Sequence, residues 1–266
     1  MKFANYIVTR FNVEFEDLYE KHEDKSEWMK ERKELFMKYC YPSILNQRNK
    51  NFEWLILISP QTSNKNMKFF EEISDGLNIK YVEAENFSEV DKNIEEYVKK
   101  NLEKGDYVAT TRVDTDDILN IDFVNYLEKV FDKQKRQPIS WARGYQMITS
   151  GSQKLRKVKY PKGPFKTLIE RYDGSLETVY ARRHGGWNDQ IELYDDVYWI
   201  QTIHGNNVSG DVINGVPIKS ENLKYKFGVD IHHQKSLFEI LPDMIQCTKL
   251  GFKQKVLNVK KIMGIE

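Results

Sequence analysis

The segment of this 266-residue chain best equipped for chemistry is Thr110-Thr111-Arg112-Val113-Asp114-Thr115-Asp116-Asp117, which carries three carboxylates in four positions. Carboxylates this close repel one another, and in a crevice the penalty is several kcal/mol, at about 1.36 kcal/mol per pKa unit. A bound divalent cation removes it. Hard oxygen donors select Mg²⁺ or Mn²⁺, ions that bind one or two carboxylates together with phosphate oxygens of a substrate. Asp114 and Asp116 stand two apart, so a turn can present both to one ligand. The competing reading needs no ion. Asp-Thr-Asp-Asp precedes Ile118-Leu119 and a helix near Ile121, and Asp is a residue of N-caps and turns.

Other phosphate and hydrolase motifs are absent: there is no Gly-x-Gly-x-x-Gly, P-loop, Gly-x-Ser-x-Gly or His-Glu-x-x-His. A nucleotide would therefore be gripped by metal and side chains. Phosphatases that use Asp-x-Asp as a nucleophile carry it after their first strand, whereas three strands precede it here. Of the five histidines, His204 ends an apolar run before Gly205-Asn206-Asn207, and His184 precedes Gly185-Gly186-Trp187. His184 suits either a sugar pocket or a turn cap. The pair His232-His233 reads as a surface or loop pair.

These groups need a frame, and the first 135 residues supply an alternation of strands and helices. Residues 3–9, Phe52–Ile58, Ile79–Val82 and Asp106–Thr111 are apolar, β-prone runs, and the second is nearly continuous, as in a strand covered on both faces. Between them, Trp28–Gln47 has helical spacing with Pro42 kinking or dividing it. Met67, Phe70 and Ile73 mark a helix ending near Gly76, and Val90, Ile94, Val98 and Leu102 mark another stopped at Gly105. Such repetition implies βαβ units and a mostly parallel sheet, with ligands outside the carboxyl ends of the strands. Beyond residue 136, Ile139–Thr149 reads as a strand or hairpin, Gly151–Gly163 is rich in Lys, Arg, Gly and Pro, and Tyr198–Ile203 is a late strand. Residues 205–215 read as loop. Residues 1–135 form a nucleotide-binding half, 136–210 an acceptor and catalytic half, and 211–266 a C-terminal extension of one domain.

Composition narrows the classes. The 41 Lys+Arg nearly cancel the 40 Asp+Glu, which argues against a nucleic-acid partner. With 40% hydrophobic residues the chain can bury a core, and Cys40 and Cys247 are too few for a disulfide framework or a thiolate zinc site. No apolar run approaches the roughly 20 residues of a membrane span. A cytoplasmic protein is the expectation. The last thirty residues read as a helix whose apolar stripe and Lys249, Lys253, Lys255, Lys260 and Lys261 suit either docking on the domain or peripheral contact with an anionic membrane. Trp28, Trp54, Trp141 and Trp199 are expected in the core, and Trp187 is the best sugar-stacking candidate.

The residues together resemble the GT-A glycosyltransferases, and more closely the bacterial rhamnosyltransferase family. The resemblance runs from about residue 5 to residue 210. It is carried by Tyr6–Phe11, Trp28 and Arg32, Tyr39–Ser43 with Gln47, Phe52–Ile56, the Thr111–Asp117 block, Phe165–Glu170 and Trp199–Asn207. Gly163 departs from the family pattern, which has Asn there. The resemblance implies a GT-A α/β fold, a mostly parallel sheet with flanking helices and a C-terminal helical extension. It also implies transfer of a sugar, L-rhamnose first, from a dTDP- or UDP-linked donor to a glycan or lipid-linked acceptor, with Mn²⁺ or Mg²⁺ clamping the diphosphate. By analogy Asp116 binds metal, Asp114 reaches metal or donor ribose, His204 is a third ligand, and Arg10 and Arg112 contact diphosphate or base. An inverting transfer needs a carboxylate base. Glu170, in the family's Pro-Phe-x-x-Leu-x-Glu pattern, leads, and Asp189 beside Trp187 follows. Two rival functions are a sugar-nucleotide nucleotidyltransferase, disfavoured by the missing glycine-rich N-terminal loop, and an inactive carbohydrate- or nucleotide-binding relative.

Overall fold

The computed structural model describes residues 1–13, 25–74, 78–149, 154–205, 207, 212–213, 215–218 and 223–231. The apolar runs form the strands β1 (Phe3–Arg10), β2 (Glu53–Ile58), β3 (Ile79–Glu83) and β4 (Tyr107–Arg112). They pair in parallel in the order β3-β2-β1-β4. Their near-continuous hydrophobicity has a direct cause, since both faces are covered. Along β2, Trp54, Ile56 and Ile58 join one core cluster, and Leu55 and Leu57 join the other.

The chain winds outward from β1 to β3 and then returns to the opposite side of β1 as β4. The strand order therefore reverses between β1 and β4. A crevice opens beyond the carboxyl ends at such a reversal, and Arg10 and Arg112 are the last residues of these two strands. Three more strands extend the sheet past β4: β9 (Lys166–Arg171) is antiparallel to both of its neighbours, β4 and β6 (Arg136–Trp141), and β10 (Ile191–Leu193) is parallel to β6. The sheet is mostly parallel, and the α/β class implied by the resemblance to GT-A enzymes is what the chain adopts.

The expected Trp28–Gln47 helix is divided, as Pro42 requires: α1 (Lys25–Leu35) passes through a π-helical turn (Phe36–Cys40) into α2 (Tyr41–Leu45), with Pro42 in the first turn of α2. The connections α3 (Asn64–Ile73) and α4 (Phe87–Lys99) are capped by the side chains of Ser63 and Asn86. Gly76, where α3 was expected to stop, lies outside the described residues. Gly105 adopts φ +99° in the turn into β4, a conformation that favours glycine.

The expectation for Ile139–Thr149 needs correction. The chain forms two strands, but no hairpin: β6 belongs to the large sheet, and β7 (Arg143–Ile148) to a second one ordered β12-β8-β7-β11-β5. Its other members are β5 (Ile118–Leu119), β8 (Lys154–Lys159), β11 (Trp199–Ile203) and β12 (Gly215–Pro217). The switch occurs at Ala142. It is fixed by Trp199, which stacks on Phe165 at 4.2 Å and lies so close to Gly144 that a Cβ there would sit 2.2 Å from the indole. The short helices α5 (Phe123–Val130) and α6 (Leu223–Phe227) complete the described elements. Cys40 is buried, and burial pushes its thiol well above the ordinary range, which makes it inert. Cys247, His22, His232, His233 and the lysine-rich C-terminal stretch lie outside the described residues. Among those described, no helix is long and apolar enough to cross a membrane.

Candidate functional site

A cleft of about 280 Å³ opens where the order of the large sheet reverses, and β11 of the second sheet and the segment after it contribute Gln201, His204 and Asn207 to its lining. Arg10 enters from the end of β1, Arg112 from the end of β4, and Asp114–Asp117 from the turn that follows. That turn is closed by the Asp117 amide donating to the Asp114 carbonyl at 3.2 Å. Helix α1 contributes Trp28, Glu31 and Arg32, and the loop around His184 closes another side.

The three crowded carboxylates meet three different fates. Asp114 is paired with Arg112, whose Nη2 and Nε lie 3.1 and 3.2 Å from Oδ1. Burial alone would raise the Asp114 carboxyl, but the Arg112 and Arg10 guanidiniums outweigh it and hold the group well below its ordinary range. Asp117 turns inward and accepts the Thr202 amide of β11 at 3.0 Å. Burial, with Asp116 and Asp114 adding repulsion, pushes its carboxyl well up. Asp116 is the one of the three that is hydrogen-bonded to an imidazole among the described residues. Its Oδ2 lies 2.9 Å from His204 Nε2 and accepts from Asn207 Nδ2 at 3.0 Å. The Asp116 carbonyl in turn accepts from Thr202 Oγ1 at 2.8 Å. Much of the repulsion inferred from the sequence is therefore relieved by the protein itself, and the Asp117 carboxyl is tied to the backbone of β11 and caps neither a helix nor its own turn. Among the described residues, no three acid, His or Cys side chains converge on one point.

Positive charge is crowded as well. Arg10, Arg32 and Arg112 all line the cleft. Burial, then Arg112 and Arg32, bring the Arg10 guanidinium down to about 10, and burial also lowers that of Arg32. Arg32 is fixed by its Nη2 donating to the Arg10 carbonyl at 3.2 Å and by the Trp28 ring 4.8 Å away. Arg112 lies over the Tyr180 ring at 5.0 Å. His184 is brought into the cleft beside them. Burial, with Arg112 adding to it, lowers His184 to about 3, so its imidazole is neutral near pH 7.

Two of the expected site residues are placed elsewhere. Glu170 is buried on β9 opposite Val108, at the amino end of β4, whereas the aspartate turn follows the carboxyl end. It pairs with Arg136 Nε at 3.2 Å and accepts the Glu177 amide at 2.7 Å. Asp189 pairs with Nη1 of the same Arg136 at 3.2 Å. Neither lines the cleft. Trp187 is likewise core, packed with Leu176, Val179 and Tyr180 and flanked by Arg136 and Arg182. Trp28 packs against the core, as expected, and is also the tryptophan that lines the cleft.

The Glu170 cluster carries its own pH signature. Burial raises this carboxyl to about 7 despite Arg136. Between its ordinary value of 4.5 and about 7 the folded protein then binds more protons than the unfolded chain. The stability this confers is complete below 4.5 and is lost as pH rises through about 7. Thermal unfolding of wild type and Glu170→Gln from pH 4.5 to 8 should show the wild-type Tm falling relative to the variant. Parallel curves would contradict this.

Residues 3–215 match the family described as "Putative rhamnosyl transferase". No curated protein sequence matches the chain. Among solved structures, S. aureus TarS 1-349 in complex with UDP-GlcNAc is similar at 17% identity and a TM-score of 0.43, covering 77% of this chain and 59% of that one. The same protein in complex with UDP gives 16% identity and a TM-score of 0.41, over 76% of this chain and 61% of that one. HddC from Yersinia pseudotuberculosis complexed with GMP-PN gives 9% identity and a TM-score of 0.33, over 74% and 89%. The present chain thus spans about 60% of the length of the TarS fragment. The family match embraces the large sheet and every cleft residue from Arg10 to Asn207, and the chain belongs to the putative rhamnosyl transferase family of glycosyltransferases.

Proposed function

We propose that the protein is a metal-dependent glycosyltransferase that moves a sugar, L-rhamnose first, from a dTDP- or UDP-linked donor to a hydroxyl of a glycan or lipid-linked acceptor with inversion. The observation that carries this reading is the charge pattern of the cleft. Three buried or half-buried guanidiniums repel one another beside an acid–imidazole pair, at the reversal point of a parallel sheet. A diphosphate satisfies the first group, and a cation the second.

The donor set fits Mn²⁺ or Mg²⁺ with two protein ligands, Asp116 and His204, because Asp114 is directed to Arg112. Phosphate oxygens and water would complete the shell. Such an ion, when bound, offsets the negative charge that develops on the departing diphosphate. The chain's own residues do the rest. Arg10, Arg32 and Arg112 bind and orient the diphosphate, with forked donors matched to its oxygens. Asn207 fixes the rotamer of Asp116, and its own Oδ1 accepts the His204 backbone amide. Neutral His184 offers a hydrogen bond without adding charge.

Glu170 and Asp189 are held by Arg136 away from the cleft, so the base is sought among the carboxylates that line it. Outside the 114–117 cluster, Glu31 of α1 is the lining carboxylate among the described residues. It is assigned to take the acceptor proton. A panel of dTDP- and UDP-sugars with Mn²⁺ should reveal one donor turned over well above background. Glu31→Gln should lower transfer about 10²-fold with the donor KM unchanged. Equal transfer would remove Glu31. A panel with no turnover and no nucleotide binding would favour the inactive relative.

A further inference from the structure

Strand β8, Lys154-Leu155-Arg156-Lys157-Val158-Lys159, carries four cations in six residues and no acid, and the proposed donor chemistry uses none of them. Arg156 is the unusual one. It is 3% exposed, yet its Nε and Nη1 are buried without a hydrogen-bond partner, and no ion pair to it is formed among the described residues. A buried guanidinium without a counter-charge is strongly unfavourable unless something else supplies one.

The register says where that something would sit. Arg156 stands opposite Gln146 across β8 and β7, and Gln146 stands opposite Gln201 across β7 and β11. Directly opposed residues share a face of the sheet. The Gln146 amide donates to Gln201 at 2.8 Å, and its oxygen accepts the Ile213 amide at 2.8 Å. Gln201 lines the cleft beside His204. Arg156 therefore ends a polar row that begins at the donor site. With strands about 4.8 Å apart, its Cα lies roughly 10 Å from that of Gln201.

We infer that Arg156 is the oxyanion-binding residue of an acceptor subsite, and that the acceptor carries a phosphate or carboxylate near the hydroxyl to be glycosylated. Only the naming of the occupant as acceptor rests on the glycosyltransferase reading; the anion site stands on Arg156 itself. The planar fork of Arg suits both oxyanions, and Lys154, two positions before Arg156 on the same face of β8, adds positive charge on that side.

Thermal unfolding at constant ionic strength, in chloride, phosphate and acetate, tests the site. Phosphate or acetate, at about ten times its dissociation constant, should raise the wild-type Tm by about 3 °C over chloride. Arg156→Met should lose that rise and be at least as stable as wild type in chloride, because the uncompensated charge is gone. Arg156→Lys should keep part of the response. Which salt acts identifies the oxyanion. If Arg156→Met does not fold, wild-type crystals soaked in tungstate should show anomalous density at the guanidinium. Equal responses in wild type and Arg156→Met, or no density there, would overturn the site. The Tm shift given by UDP with Mn²⁺ should survive in Arg156→Met. Its absence from wild type as well would count against the donor reading and leave the anion site standing.

Discussion

Replacing Asp116 by Asn lowers sugar transfer about 10³-fold, the loss expected when several kcal/mol of metal-borne charge stabilisation disappears from the departing diphosphate. The fold should survive the change. Asp116 anchors the turn through its backbone carbonyl, which accepts from Thr202, and Asn leaves that bond intact. Among the described residues its side chain bonds to His204 and Asn207, which a neutral amide can still engage. A variant with wild-type Tm, lost transfer and no response to Mn²⁺ is the predicted phenotype. Asp117→Asn is the instructive contrast. It perturbs a buried carboxyl bonded to the Thr202 amide, so its cost falls on folding before chemistry. Transfer by Asp116→Asn at the wild-type rate would refute the assignment.

Arg32→Met is the second large effect, and stability and activity should respond differently. Arg32 is half-buried beside Arg10 in a cleft that also holds Arg112, and its Nε is buried without a hydrogen-bond partner. Removing it sacrifices the hydrogen bond to the Arg10 carbonyl, worth about 1 kcal/mol, and relieves repulsion among like charges. The Tm should therefore stay within about 2 °C of wild type. A diphosphate loses a charge-assisted donor, and kcat/KM should fall about 10²-fold, mainly through donor binding. Unchanged donor kinetics would show that Arg32 serves the helix and not the ligand.

The sheet was legible because its signal is local. Apolar runs such as Trp54–Ile58 can persist only where both faces are covered, and Pro42 must interrupt a helix wherever the chain takes it. Arg10 and Arg112 could be found by the same logic, since the last residue of a buried parallel strand faces the crevice. What escaped was decided by register and by long-range partners. Glu170 fits a family pattern, but the antiparallel pairing of β9 with β4 sets Thr167 against Thr111 and carries Glu170 to the far end. The separate fates of Asp114, Asp116 and Asp117 depend on Arg112, His204 and Thr202, two of them more than 80 positions away. Trp187 is core because a tryptophan among glycines can still be packed by distant residues, and Trp28 both packs against the core, as expected, and reaches the cleft. Arg32 carries a local signal of its own. It lies four residues after Trp28, on the same helical face.

Titrating UDP calorimetrically into the wild-type protein, with Mn²⁺ and then with EDTA, tests the central claim most directly. The account predicts binding that weakens at least tenfold when the ion is withdrawn. Equal affinity in both buffers would contradict it.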